Sequence, residues 1–139
     1  MKARVKWAEA RTFIGETETG HKIAFGAAHG ADGLKPGPSP MELLLLGTGG
    51  CSVYDVVHIL ERGREPVADV VVEIEAERAD TDPKVYTRIH MHFIVIGPGL
   101  NPDKVARAVA LSIEKYCSAS AMMAATATLT HDFEIIDKG

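Results

Sequence analysis

The sequence predicts an α+β fold with largely antiparallel strands, in a single domain over residues 1–139. Two observations carry this. Residues 67–79 and 85–96 alternate apolar and polar side chains on either side of a turn, the pattern of a β-hairpin buried on one face. Stretches with helical periodicity begin at Ser39-Pro40 and at Asn101-Pro102, each with a residue suited to cap a helix followed by a proline suited to its first turn. The resulting order is βββ-α-ββ-α-(α)-β.

At the N-terminus, residues 3–7 alternate as a strand, and residues 11–17 form a second with Phe13 and Gly15 on one face. Gly20-His21 is a turn and residues 22–25 are a third strand, so the segment reads as an antiparallel meander. Residues 26–39, rich in glycine and proline, form a loop. Ser39 then caps a helix, with Pro40 at the first helical position and Glu42 placed to complete a capping box. This helix runs through Val53, Val56, Val57, Ile59 and Leu60 to Arg62, with Gly63 as its stop. It is apolar over most of its surface and is expected to be the central buried helix. Gly47, Gly49 and Gly50 weaken it, which points to a close approach of another backbone, a ligand or a kink.

In the hairpin, Val70, Val72, Ile74 and Ala76 oppose Glu73, Glu75 and Glu77, residues 80–83 turn, and Ile89, Met91, Phe93 and Val95 point inward from the partner strand. Asn101-Pro102 starts a second long helix carrying Val105, Val109 and Ile113 and reaching about Cys117. Residues 118–125 form a short helical piece and residues 129–136 a final strand. With so few elements to cover the glycine-rich first helix, an intertwined homodimer is expected.

Hydrophobic content of 46% and charged content of 24% are those of an ordinary globular chain. A net charge of -4 gives no electrostatic basis for a nucleic-acid partner. No uninterrupted apolar run approaches the roughly 20 residues that span a bilayer. The N-terminal residues alternate and lack the apolar core of a signal peptide, so a cytoplasmic location is expected. Structural disulfides are rare there, so a cysteine pair is more often catalytic, redox-sensing or reduced.

The chain has two cysteines, Cys51 in Gly49-Gly50-Cys51-Ser52 and Cys117 in Tyr116-Cys117-Ser118. Either is compatible with a small buried hydrophobe. Brought together, they form a dithiol whose first thiolate attacks a hydroperoxide and whose second condenses with the sulfenic acid. That chemistry requires a thiolate near neutral pH, and so a neighbouring cation or hydrogen-bond donors.

Gly-Gly-Cys-Ser on a central helix after a Pro/Gly-rich loop, the second cysteine at the end of the next long helix, and the strand–helix order resemble the OsmC/Ohr family of osmotically inducible and organic-hydroperoxide-resistance proteins. The resemblance covers almost the whole chain. Pro40-Met41-Glu42-Leu43-Leu44 with Gly47-Thr48-Gly49-Gly50-Cys51-Ser52-Val53-Tyr54-Asp55 looks most like its OsmC-like branch of unassigned function. The resemblance implies an intertwined homodimer with sites at the subunit interface, Cys51 as the peroxidatic and Cys117 as the resolving cysteine. It further implies organic hydroperoxides as substrates, a dithiol or lipoylated protein as reductant, and no metal or organic cofactor. It places an arginine in the first hairpin, where Arg11 stands, and a glutamate at the start of the central helix, where Glu42 stands. In the family pattern that glutamate directly follows the proline. Here Met41 occupies that place, and at about 100° per residue Glu42 and Cys51 face opposite sides of a straight helix. Arg11 as a solvated strand-end side chain and Glu42 as a capping residue are the structural alternatives.

His58, two turns beyond Cys51, is a candidate base or a surface residue. His90 and His92 share one strand face, half of a metal site or a solvated surface. His21, His29 and His131 are scattered. Met122 and Met123 fill core or line an apolar pocket near Cys117. Two alternatives to a peroxidase stand: a non-enzymatic dimer binding a hydrophobic small molecule, with structural cysteines, and an acyl-transfer nucleophile using a Cys–His pair.

Overall fold

The alternation in the predicted hairpin is realised residue by residue. In a computed structural model of the chain, which describes residues 1–28 and 32–139, Ile89, Met91, Phe93 and Val95 are all fully buried. They lie on β5 (Tyr86–Ile96), which pairs antiparallel with β4 (Asp69–Arg78), Val72 opposite Phe93 and Ile74 opposite Met91. Period-two patterning fixes this register, because a one-residue slip would send the whole apolar set to the other face.

The chain forms two compact units, Met1–Leu46 and Gly47–Gly139. The first contains an antiparallel meander of β1 (Ala3–Glu9), β2 (Thr12–Thr17) and β3 (Lys22–Gly26), in the order expected. Phe13 and Phe25 pair across β2 and β3 with ring centroids 6.0 Å apart. The expected loop before the first helix includes residues 29–31, so His29 falls outside the described residues.

Helix α1 (Pro40–Arg62) starts where expected. The Ser39 N–H donates to Glu42 Oε1 at 2.9 Å, and the Glu42 N–H donates to Ser39 Oγ at 3.2 Å, which is the reciprocal capping box. Its burial differs from the expected all-round apolar core helix. Within one chain it buries a single stripe, Thr48, Gly49, Ser52, Val56 and Leu60, at three- and four-residue spacing. Leu44, Leu46 and Tyr54 are exposed. The glycines divide likewise. A Cβ on Gly49 would lie 2.8 Å from Ile74 Cδ1 and 3.3 Å from Val72 Cγ1, so this glycine allows α1 to lie closely on β4. Gly47 and Gly50 face open space, and the helix runs unbroken through all three.

At 23 residues, with a mean hydropathy of 1.5 over its most apolar window, α1 also has the length and composition of a membrane span. That revises the expectation drawn from uninterrupted apolar runs. Its close packing on β4 and the buried hydroxyls of Thr48 and Ser52 mark it instead as a helix lying on a sheet.

The pairing is largely antiparallel, as expected, with one parallel pair beyond β5. The last strand, β6 (Thr128–Ile136), pairs parallel to β5, with Ile89 opposite Leu129 and Phe93 opposite Phe133. A parallel pair needs a long crossover, and α2 (Pro102–Leu111) and α3 (Ser118–Met123) supply it. The Asn101 side chain accepts from the N–H groups of Asp103 and Lys104, so the cap of α2 is as expected. The helix does not continue to Cys117 in α form. Residues Ser112–Tyr116 widen into a π-turn that closes with the Cys117 N–H on the Ser112 carbonyl at 2.8 Å. Met122 is 75% exposed, so it does not fill the core.

Candidate functional site

The buried stripe of α1 carries polar side chains into the second unit, and the chain's second cysteine meets them there. Cys117 sits in extended backbone (φ -72°, ψ 104°) between the π-turn and α3, and is 2% exposed. Cys51 is half-buried. The sulfurs of Cys51 and Cys117 and a carboxylate oxygen of Asp55 all lie within 4.8 Å of one another. The π-turn matters here because it sets the place of Ser112. Its hydroxyl is 3.1 Å from the Ser52 carbonyl oxygen and 3.1 Å from Asp55 Oδ2, so it braces the crossover against α1 at the level of the thiols.

Donors surround the Cys117 sulfur. The Ser52 hydroxyl and the Ser120 N–H each donate to it at 3.3 Å, and the Ser52 and Ser120 hydroxyls lie 3.4 Å apart. As a thiol, Cys117 points at the Thr48 carbonyl at 3.9 Å. Burial disfavours its ionised form. Hydrogen bonds from the Ser120 and Ser52 hydroxyls, the Ser120 N–H and the Cys51 thiol outweigh burial and hold the Cys117 thiol below its ordinary range.

At Cys51 the Ala119 N–H favours the thiolate, as does the Ser118 N–H. Burial and the adjacent Cys117 sulfur push the other way, and Cys51 is raised above its ordinary range. The two thiols thus titrate as a pair holding one negative charge first, resting on Cys117. Among the described residues, the buried hydroxyls of Ser52 and Ser120 and the Ser120 N–H favour this ionisation. Ser52, Ser112 and Ser120 were not legible as site residues in the sequence; the nearest signal was a polar pair, Thr48 and Ser52, at i, i+4 on an apolar helix.

Arg11 and Glu42 belong to the first unit. Arg11 lies in the turn between β1 and β2, in the first unit, exposed, with its guanidinium on the Ala10 carbonyl at 3.2 Å. Glu42, also in the first unit, ion-pairs with Lys35 and accepts from Ser39. These contacts, Lys35 foremost, lower its pKa to about 2. His58 is exposed and stacks on Tyr54, with ring centroids 6.0 Å apart. A carboxylate oxygen of Asp55 lies within 4.8 Å of the Cys51 sulfur.

Two donor sets bear on metals. Cys51, Asp55 and Cys117 offer two sulfurs and a carboxylate, the donor types of a zinc site. A spread of up to 4.8 Å is wider than a tetrahedron built on bonds of about 2.0–2.3 Å, so the trio would have to contract around an ion. On the outer sheet face, Asp132 Oδ1 lies 3.0 Å from His90 Nε2 and 2.8 Å from His92 Nδ1, and His90 Nδ1 is 2.6 Å from Thr130 Oγ1. The parallel register of β6 puts Asp132 beside His92, and the sequence pattern does not show that pairing.

Known proteins share this fold and much of this sequence. A family model described as "OsmC-like protein" matches residues 30–132. Protein YhfA of Escherichia coli K12 is 46% identical over 136 residues, covering 98% of both chains. A crystal structure of a protein from Aquifex aeolicus VF5 superposes with a TM-score of 0.85 at 31% identity, covering 99% of this chain and 97% of that one. The organic hydroperoxide resistance protein OsmC of Legionella pneumophila shares the fold, with a TM-score of 0.69 at 19% identity over 96% of this chain and 97% of that one.

Proposed function

The chain belongs to the OsmC-like family, and from that premise we propose that it is a thiol-dependent peroxidase that reduces organic hydroperoxides through Cys51 and Cys117. The observation that carries the reading is the placement of its two cysteines, far apart in sequence, with sulfurs within 4.8 Å. Exposure divides their roles. Cys51 is half-buried and open to a substrate, whereas Cys117 is 2% exposed.

Ionisation that falls first on Cys117 fits a two-step cycle. A proton passes from Cys51 to Cys117 across the sulfur contact, leaving a Cys51 thiolate facing the Ala119 and Ser118 N–H groups. The Cys51 sulfur attacks the terminal oxygen of R–O–OH. The O–O bond breaks, the sulfur loses two electrons to become the sulfenic acid, and the alkoxide takes a proton and leaves as R–OH. Asp55, within 4.8 Å of both sulfurs, is the acid–base group placed to relay protons. Cys117 then attacks the sulfenic sulfur, the S–O bond breaks, and the oxygen leaves as water with two protons. Bringing the sulfurs to a bond of about 2.05 Å requires rotation at Cys51 or a small shift of the extended Cys117 segment. An external dithiol, or a lipoylated protein as the family resemblance implies, takes the disulfide back to two thiols.

By the same resemblance we assign Arg11 to stabilising the thiolate and Glu42 to orienting that arginine, in an intertwined homodimer. The exposed Leu46 and Tyr54 of α1 support the dimer, since apolar side chains of this size are usually covered. The reaction is placed in the cytoplasm, where reductants keep such thiols reduced.

Consumption of cumene hydroperoxide with dithiothreitol as reductant tests the division of roles. Cys51→Ser should abolish it. Cys117→Ser should retain one turnover and accumulate a Cys51 sulfenic acid that reacts with dimedone. Equal activity of Cys51→Ser and wild type would end this reading.

A further inference from the structure

Beside the thiol pair, α1 and the crossover form an open cavity of about 610 Å³ that shares only Asp55 with the redox chemistry proposed above. Lys104 Nζ donates to the Gly63 carbonyl at 3.3 Å, and Ser112 reaches Asp55, so α2 runs antiparallel to the last turns of α1. Down the cavity wall on α1 come Asp55, Ile59 and Arg62, at four- and three-residue steps on one face. On α2, Arg107 and Leu111 stand one turn apart on the same wall. The cavity therefore has the Asp55 carboxylate at one end, next to the sulfurs, apolar Ile59 and Leu111 between, and the guanidinium groups of Arg62 and Arg107 at the other end, with His58 and Tyr116 completing its lining. At 1.5 Å per residue, Asp55 and Arg62 are about 10 Å apart along the helix.

The charge pattern is unusual for this chain. Its net charge is -4, yet two arginines line one cavity, and neither makes an ion pair or side-chain hydrogen bond among the described residues. Two guanidinium groups at one site repel each other and gain most from an anion that both can grip in bidentate fashion. Asp55 repels an anion from the opposite end, so the cavity also orients what it binds.

We propose that this cavity binds an organic anion. Its carboxylate or phosphate head lies between Arg62 and Arg107, its apolar body of about 10 Å runs along Ile59 and Leu111, and its tail ends at Asp55 beside the sulfurs. The anion site stands whether or not the cysteines turn over peroxide.

Calorimetric titration of the reduced full-length protein with octanoate, octyl phosphate and octanol tests it, repeated on Cys51→Ser protein so that no thiol chemistry intervenes. The expected result is that octanoate or octyl phosphate binds at least tenfold tighter than octanol, with the preference shrinking as salt rises. The tighter of the two anions identifies the head group. The Arg62→Gln/Arg107→Gln protein, altered only at exposed positions, should lose that preference and keep the wild-type thermal melt. Equal binding of octanol, an unchanged preference in the double variant, or no binding of any of the three would overturn the proposal. Each of those results leaves the peroxidase reading to its own assay.

Discussion

Ser52→Ala removes one oxygen from the most polar point of an otherwise apolar core. The Ser52 hydroxyl is fully buried, with one proton to give and three neighbours to receive it: Cys117 Sγ at 3.3 Å, Ser120 Oγ at 3.4 Å and Met91 Sδ at 3.8 Å. When Cys117 ionises, the thiolate becomes the strongest acceptor of the three. A hydrogen bond to a charged group contributes about 1.5–3 kcal/mol, and because this proton is shared at a long contact to sulfur, the lower figure applies. About 1.4 kcal/mol is a factor of ten, so the thiolate population at a fixed pH below the transition should fall about tenfold in Ser52→Ala. Ultraviolet absorbance of the thiolate, followed from pH 5 to 11, reads this directly, and peroxide consumption at neutral pH should fall by up to the same factor. A lowered thiol pKa adds to folding stability chiefly as pH rises toward the ordinary value of 9.0, and that contribution is lost as pH falls through the lowered folded value. A folded Ser52→Ala protein that titrates like wild type would refute the claim that buried hydroxyls ionise this site.

Three further outcomes are expected. Gly50→Ala, at an exposed helix position facing open space, should stabilise the chain by about 1 kcal/mol in urea unfolding. Gly49→Ala should gain less or lose, because its Cβ would sit 2.8 Å from Ile74 Cδ1; a Gly50→Ala protein less stable than Gly49→Ala would contradict this packing. Phe93→Ala, at a fully buried position on the central strand, should cost about 3–5 kcal/mol by denaturant unfolding, and a cost under 1 kcal/mol would show that β5 is not the core. The hydrogen bond to Asp132 raises His92 above its ordinary 6.5, and the same contact lowers Asp132 below its ordinary 3.8. The pair's contribution to stability is thus lost as pH rises through the raised His92 value and as pH falls through the lowered Asp132 value, leaving a window between them. Proton NMR should give His92 a midpoint above 6.5 that drops in Asp132→Asn, and an unchanged midpoint would show that the contact is not populated.

What the sequence made legible was whatever local chemistry decides. The Ser39–Glu42 capping box is encoded within four residues and forms as written. The inward set from Ile89 to Val95 follows from period two alone. Strand direction is not local, since alternation looks the same in a parallel and an antiparallel strand, so the sequence pattern leaves open both the direction of β6 and the place of Asp132 beside His92. The helices between β5 and β6 carried the missing signal, because a crossover of that kind joins parallel strands. The π-turn is equally invisible to a 3.6-residue pattern, although it sets the Ser112 hydroxyl against Asp55. The cysteines themselves were plain. Their donors were not, because serine is more often a surface or capping residue than a buried ligand to sulfur.

The central claim is that Cys51 and Cys117 are one redox couple. Its most direct test is the intact mass and free-thiol count of the reduced protein, before and after one equivalent of cumene hydroperoxide. Loss of both thiols with a mass lower by about two hydrogens is expected, as a sulfenic acid on Cys51 is closed by Cys117. Two free thiols at unchanged mass would contradict it, and the cysteines would then be structural.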